Sequence, residues 1–150
     1  DDVAVLRTFS KAYGLAGLRL GYALVPDPWA DAYARVNTPF AVNGLACFAG
    51  LAALEDEAHV ERTVETARWA RDYMREELAA PTWESGGNFV MAAVGDAERV
   101  VDAARREGVI VRDCGSFGLP ACVRISCGTE AETRRAVSVL NEVIAACESP

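Results

Sequence analysis

Between Ala58 and Ala79 the apolar residues Val60, Val64, Ala67, Met74 and Leu78 recur at helical spacing, with charges elsewhere and Pro81 just beyond. The spacing predicts one long amphipathic helix, burying a single stripe and stopping before the proline. It separates two stretches of chain with different patterning. After it, "NFVMAAV" (88–94) reads as a strand and Asp96 to Glu107 as a helix stopped by Gly108. "VIVR" (109–112) and "CVRIS" (122–126) read as short strands, and Thr129 with Glu132 forms a capping box for a last helix through Ala146. The tail is therefore expected to be a compact β-α-β-β-α unit.

The head is less complete. Val3 to Phe9 and Leu20 to Val25 read as strands flanking a glycine-rich loop. Asp27 and Pro28 start a helix that carries Trp29 to Val36, with Asp27 as its N-cap. "NTPF" (37–40) breaks the pattern before a second apolar helix, roughly Asn43 to Leu54. Two strands and two helices look like the edge of a larger sheet. The chain also opens on Asp1 and enters a strand-like run at once, as a piece of a longer protein would.

Composition narrows the partners. The content is 51% hydrophobic and 25% charged, as in ordinary globular domains. No apolar run is long enough to span a bilayer, and no leader-like segment opens the chain. A net charge of −7 argues against nucleic acid or an anionic membrane as the main partner. The five cysteines, Cys47, Cys114, Cys122, Cys127 and Cys147, include no CxxC pair and read as buried free thiols of a reducing cytoplasm. No metal site is expected, because His59, the only histidine, has no cysteine at ligand spacing.

Against that background one residue stands apart. Of fifteen basic residues, Lys11 is the only lysine. Arginine replaces lysine as a surface charge but is permanently protonated and is not an amine nucleophile. Thr8 and Ser10 precede Lys11, while Gly14, Gly17 and Gly21 follow it, with Arg19 among them. Hydroxyls, close backbone approach and a guanidinium suit a phosphate dianion. An amine beside such a site suits a phosphorylated aldehyde held as a Schiff base, as pyridoxal phosphate is. Glycine-rich loops with a nearby Lys and Ser are nevertheless common. The order is wrong for a P-loop, whose glycines precede the lysine, and no GxGxxG opens a helix here. The residues alone leave the amine reading and a chance surface charge both open.

The stretch "TFSKAYGLAGLRLGY" (8–22) resembles the lysine motif of class I/II aminotransferases, the fold-type I pyridoxal-phosphate enzymes. It is closest to the branch containing histidinol-phosphate aminotransferase. The resemblance implies that Lys11 is the catalytic, cofactor-bearing lysine. It implies that Thr8, Ser10 and Arg19 hold the phosphate of pyridoxal 5'-phosphate.

A second cluster lies in "VIVRDCGSFGLPACVRISCGT" (109–129), which sets Arg112 and Arg124 on short strands joined by a Gly/Pro-rich loop. Read by themselves, Arg124 turns to water on a polar strand face and Arg112 bonds Asp113 or another acid. The family likeness implies otherwise. Arg124 matches the arginine that binds the substrate carboxylate or an equivalent anion. Arg112 matches a second arginine that helps hold a substrate phosphate, and Asn88 in "GGNFVM" matches a supporting position.

The likeness implies an α/β fold: the C-terminal part of a fold-type I transferase, comprising an edge of the large-domain sheet and an α+β small domain. Residues 1–54 would belong to the cofactor-binding large domain, 55–81 to a connecting helix and 82–150 to the small domain. It implies a cytoplasmic homodimer acting on an amino acid or amino phosphate and a 2-oxo acid. The family's upstream half supplies an aspartate for the pyridine nitrogen and a ring-stacking aromatic. Neither matches a position here, and Asp1 and Asp2 lie too close to the lysine strand to serve. A decarboxylase of the phosphothreonine type resembles the same branch. The isolated chain is also open to a non-catalytic reading.

Overall fold

A computed structural model of the protein describes residues 3–148, so Asp1 and Asp2 lie outside the described residues. The chain forms two compact units, Asp1–Thr63 and Val64–Pro150, with the boundary inside the long helix.

The first unit is built on a hairpin. Strand β1 (Val5–Thr8) pairs antiparallel with β2 (Gly21–Leu24), in the register Val5↔Leu24 to Thr8↔Gly21. Both strands are shorter than their apolar runs, because backbone pairing between named strands ends at Thr8 and Gly21. A last bond from the Phe9 amide to the Leu20 carbonyl, at 3.1 Å, ties the mouth of the loop. Phe9 is buried and packs on Tyr13, with ring centroids 4.8 Å apart.

Helix α1 (Asp27–Val36) follows, but Pro26 and not Asp27 occupies its N-cap. Asp27 falls inside the first turn, where a carboxylate still favours the positive end of the helix. Helix α2 (Gly44–Glu55) is capped by Asn43, whose side-chain oxygen accepts from the Ala46 amide at 2.8 Å. It docks at Gly50, where an added Cβ would collide with the Leu20 side chain. Its apolar residues go all round, yet only Ala46 and Gly50 are buried. Leu45, Phe48, Leu51 and Leu54 are exposed, and so is Phe40, at 97%. A helix apolar on every side normally lies inside a protein, so this unit carries surface of the kind other protein covers.

Helix α3 (Glu57–Glu77) begins in the first unit and ends in the second. The second unit contains an antiparallel sheet in the order β3-β5-β4: β3 (Phe89–Ala93), β5 (Cys122–Ser126) and β4 (Arg112–Asp113). Helices α4 (Ala97–Arg106) and α5 (Glu130–Glu148) complete the β-α-β-β-α order expected from the patterning. Alternation along β5 sends Val123 and Ile125 into a core with Met74, Val90, Val100, Leu140 and Ile144. Cys122, Arg124 and Ser126 take the opposite face.

Two details differ from expectation. The "VIVR" strand shrinks to β4, because the Val109 amide closes the end of α4 on the Ala104 carbonyl at 2.9 Å. The unforeseen pairing is at Pro81 to Trp83, which bonds alongside β3 through Ala93–Pro81 and Trp83–Met91. The end of α3 is held by Asn141 of α5, which accepts from the Ala79 amide and donates to the Glu77 carbonyl. No helix among the described residues is long and apolar enough to cross a membrane.

The capping box of α5 is complete. The Glu132 amide donates to the Thr129 hydroxyl at 3.3 Å, and Glu132 Oε2 accepts from the Thr129 amide and hydroxyl at 2.8 and 2.7 Å. Those two bonds hold the Glu132 carboxyl below the usual carboxylate range, the backbone bond contributing most. A carboxyl depressed by folding adds stability above its unfolded pKa and loses it as pH falls through the folded value. Glu132→Gln should therefore melt below the wild type at neutral pH, with the gap closing as pH is taken below 4.5. Thermal melts at both pH values check this, and a gap of constant size would contradict it.

Candidate active site

The hairpin loop gathers three of the four residues expected at the cofactor site. Thr8 ends β1, and its hydroxyl accepts from the Ser10 amide at 3.1 Å, turning the chain directly before Lys11. A short 3-10 turn, Ala16–Leu18, then leads to Arg19, whose backbone is left-handed at φ 54° and ψ 45°. That conformation costs a non-glycine residue about 1–2 kcal/mol. It bends the side chain back over the loop, where Nη1 donates to the Ala16 carbonyl at 2.8 Å and to the Ser10 hydroxyl at 3.5 Å. Strain of this kind is commonly kept where a side chain must be aimed.

Thr8, Ser10 and Arg19 open together on a groove of about 860 Å³, whose other walls include Gly21, Tyr22 and Trp29. Two hydroxyls and a guanidinium on one concave surface are donors of the type a phosphate dianion needs. The donor set therefore fits a phosphorylated cofactor. Lys11 lies beside this groove in sequence but does not line it. It is exposed, and its carbonyl accepts from the Gly14 amide at 2.9 Å. No carboxylate lies within ion-pair distance of Lys11 among the described residues.

In the second unit, Arg112 and Arg124 stand directly opposite each other on β4 and β5. Like charges facing across a ladder are destabilising. Neither has an acidic partner among the described ion pairs, which are Arg105–Asp102 and Arg134–Glu130. Asp113 does not neutralise Arg112: its Oδ1 accepts from the Gly115 amide at 2.7 Å. Arg112 instead donates to the Ser116 hydroxyl at 3.3 Å and lies 5.4 Å from the Phe117 ring centre. Arg124 lies 5.4 Å from the centre of the Phe89 ring. Both arginines line a groove of about 530 Å³ with Arg105, Ser116 and Ser126. Such a groove offers positive charge to an anion from outside the chain.

Asn88 does not line this groove. Its carbonyl accepts from the Cys127 amide at 2.9 Å, and its exposed side chain makes no hydrogen bond among the described residues. The segment "SFGLP" (116–120), expected from the sequence to help shape the substrate pocket, supplies Ser116 to this groove and Phe117 beside Arg112. Sequence reading missed Phe89 and Arg105, and the usable signal for the first was its place directly after Asn88. No cluster of metal-ligand type occurs among the described residues. The five cysteines are free, but Cys47 is exposed and not buried as expected, because α2 buries only Ala46 and Gly50. Burial pushes the Cys114 and Cys127 thiols up, away from the reactive thiolate.

The family model described as aminotransferase class I and II matches residues 1–140. The chain belongs to this family. Histidinol-phosphate aminotransferase of Haloferax volcanii is 72% identical over 144 residues, 96% of this chain and 40% of that protein. The chain thus spans about two-fifths of the relative's length. The crystal structure of histidinol-phosphate aminotransferase from Sinorhizobium meliloti, in complex with pyridoxal-5'-phosphate, superposes with a TM-score of 0.84 at 30% identity. It covers 97% of this chain and 42% of that one. L-threonine-O-3-phosphate decarboxylase from Porphyromonas gingivalis has the same fold, with a TM-score of 0.77 at 24% identity over 95% of this chain and 46% of that one. The fold-type I architecture expected from the lysine motif is therefore the fold observed.

In this chain the hairpin has a sharp steric requirement. A Cβ on Gly21 would lie 2.8 Å from the Arg7 carbonyl oxygen, whereas a Cβ on Gly17 would meet nothing within 4 Å. Gly21→Ala should destabilise the full-length protein by roughly 1–3 kcal/mol through overpacking. Gly17→Ala should stay within about 0.5 kcal/mol of wild type. Chemical denaturation of both variants checks the pair, and equal stabilities would contradict the close crossing.

Proposed function

We propose that the full-length protein is a pyridoxal-phosphate-dependent aminotransferase. It would move an amino group between an amino acid, or an amino phosphate such as histidinol phosphate, and a 2-oxo acid. The observation that carries this is the gathering of Thr8, Ser10 and Arg19 on one groove next to the sole lysine. It sits in a chain closely similar to the Haloferax enzyme. Residues 1–54 would be part of the large domain, 55–81 the connecting helix and 82–150 the small domain. A homodimer working in the cytoplasm, in amino-acid biosynthesis, is the setting this reading implies.

Each residue has a distinct task. Arg19, Ser10 and Thr8 would hold the phosphate of a bound pyridoxal phosphate and keep it seated beside Lys11. Bound there, pyridoxal phosphate supplies an aldehyde that condenses with amines and a ring that withdraws electrons. Lys11 Nζ takes the proton from the substrate α-carbon and returns one at the end of transfer. Arg124 and Arg112 hold the substrate's anionic group, fixing the direction of the Cα–H bond. Positioning of this kind lowers barriers by several kcal/mol. Asn88 is assigned only a bracing role beside them.

Variants of the full-length protein separate the tasks. Lys11→Ala should abolish turnover. Arg19→Ala should weaken cofactor retention. Arg124→Ala should keep the cofactor and raise KM for anionic substrates, at a cost of roughly 2–5 kcal/mol. Cofactor content, steady-state kinetics and keto-product detection check these outcomes. Release of CO2 in place of a keto product would overturn the reading in favour of a phosphothreonine-type decarboxylase.

A further inference from the structure

The guanidinium of Arg124 is held by an aromatic ring and not by a carboxylate. Arg124 pairs across the sheet with Met91, and Phe89 stands diagonally from it two residues along β3. A diagonal neighbour is within reach of an aromatic and a long side chain. The 5.4 Å separation lies inside the range at which a cation is attracted to a ring face. Both residues are half-buried, so the contact is partly shielded from water.

The ring is itself placed by the turn before it. A Cβ on Gly87 would lie 3.0 Å from Cε1 and 3.3 Å from Cδ1 of Phe89, so a side chain there would push the ring by a few tenths of an ångström. The turn is pinned from two sides. Arg71 Nη1 donates to the Gly87 carbonyl at 2.6 Å, and the Gly87 amide donates to the Ser85 hydroxyl at 3.1 Å. A chain of contacts thus runs from α3 through Gly87 and Phe89 to Arg124.

We infer that Phe89 is a positioning residue for Arg124, seated by Gly87, and sets how tightly that arginine engages a carboxylate-type substrate anion. A ring alongside the guanidinium limits the rotamers of a long side chain without neutralising its charge. An acidic partner would align the arginine equally well but would compete with the substrate. Less rotamer freedom then remains to be lost when the anion arrives. This rests on the assignment of Arg124 to the substrate anion.

The test uses full-length protein with cofactor bound and two readouts. One is calorimetric affinity for succinate, a dicarboxylate that neither donates nor accepts an amino group. The other is steady-state kinetics. Phe89→Leu should weaken succinate binding by at least about two- to fivefold, the range of an exposed cation–ring contact. KM should rise by a similar factor while kcat stays nearly constant. Phe89→Tyr should restore both values, and Gly87→Ala, which keeps the ring but displaces it, should mimic Phe89→Leu. In an Arg124→Ala background, Phe89→Leu should add nothing further. An undiminished effect in that background, failure of Phe89→Tyr to rescue, or wild-type protein that binds no succinate would overturn the inference. Wild-type protein that binds succinate but transfers no amino group would instead sink the aminotransferase reading and leave the affinity comparison intact.

Discussion

Strands β1 and β2 approach so closely at the Thr8–Gly21 pair that residue 21 has no room for a side chain. Everything proposed for the cofactor site depends on that crossing. It brings the chain back to Thr8 after a twelve-residue excursion (9–20), so Arg19 returns within reach of Ser10. A wider hairpin would leave the same residues in the sequence and scatter them in space. The left-handed backbone of Arg19 is a second local cost, and the Ala16 carbonyl bond offsets part of it by fixing the arm.

The two units place their stability differently. The second buries a contiguous apolar core between one sheet face and three helices, leaving the opposite face for Arg112 and Arg124. The first buries little beyond Phe9, Ala46 and Gly50, and its α2 helix exposes apolar side chains all round. The groups proposed for catalysis and phosphate binding thus sit on a scaffold whose own packing is slight. The arginines proposed to hold the substrate anion sit on one that is well packed. The arginines are also the more elaborately supported, each lying against a ring.

Much of this was legible in the sequence, for identifiable reasons. Helical periodicity announced α3, Gly108 marked the stop of α4, and the Thr129–Glu132 spacing announced the cap of α5 that the structure completes. The lysine motif pointed to the family because hydroxyls, glycines and Arg19 keep a fixed order over fifteen residues (8–22). Long-range partnerships were not legible. Nothing local says that Asn141 caps α3, that residues 81–83 bond beside β3, or that Phe89 lies against Arg124. The shortened β4 was hidden because Val109 and Ile110 look like strand residues. Val109 in fact closes a helix, and Ile110 is 82% exposed. The N-cap of α1 moved to Pro26 because an aspartate before a proline suits both the cap and the first turn.

The central claim is that Lys11 is the amine that carries the cofactor. Borohydride reduction of the full-length protein loaded with pyridoxal phosphate, followed by tryptic digestion and mass spectrometry, tests it most directly. Trypsin cuts after Arg7 and Arg19, and Lys11 is the only lysine between them. The reduced cofactor's mass should appear on the peptide from Thr8 to Arg19, since a modified Lys11 is no longer cut by trypsin. Recovery of unmodified Thr8–Lys11 and Ala12–Arg19 as separate peptides, with the label on a different lysine, would contradict it.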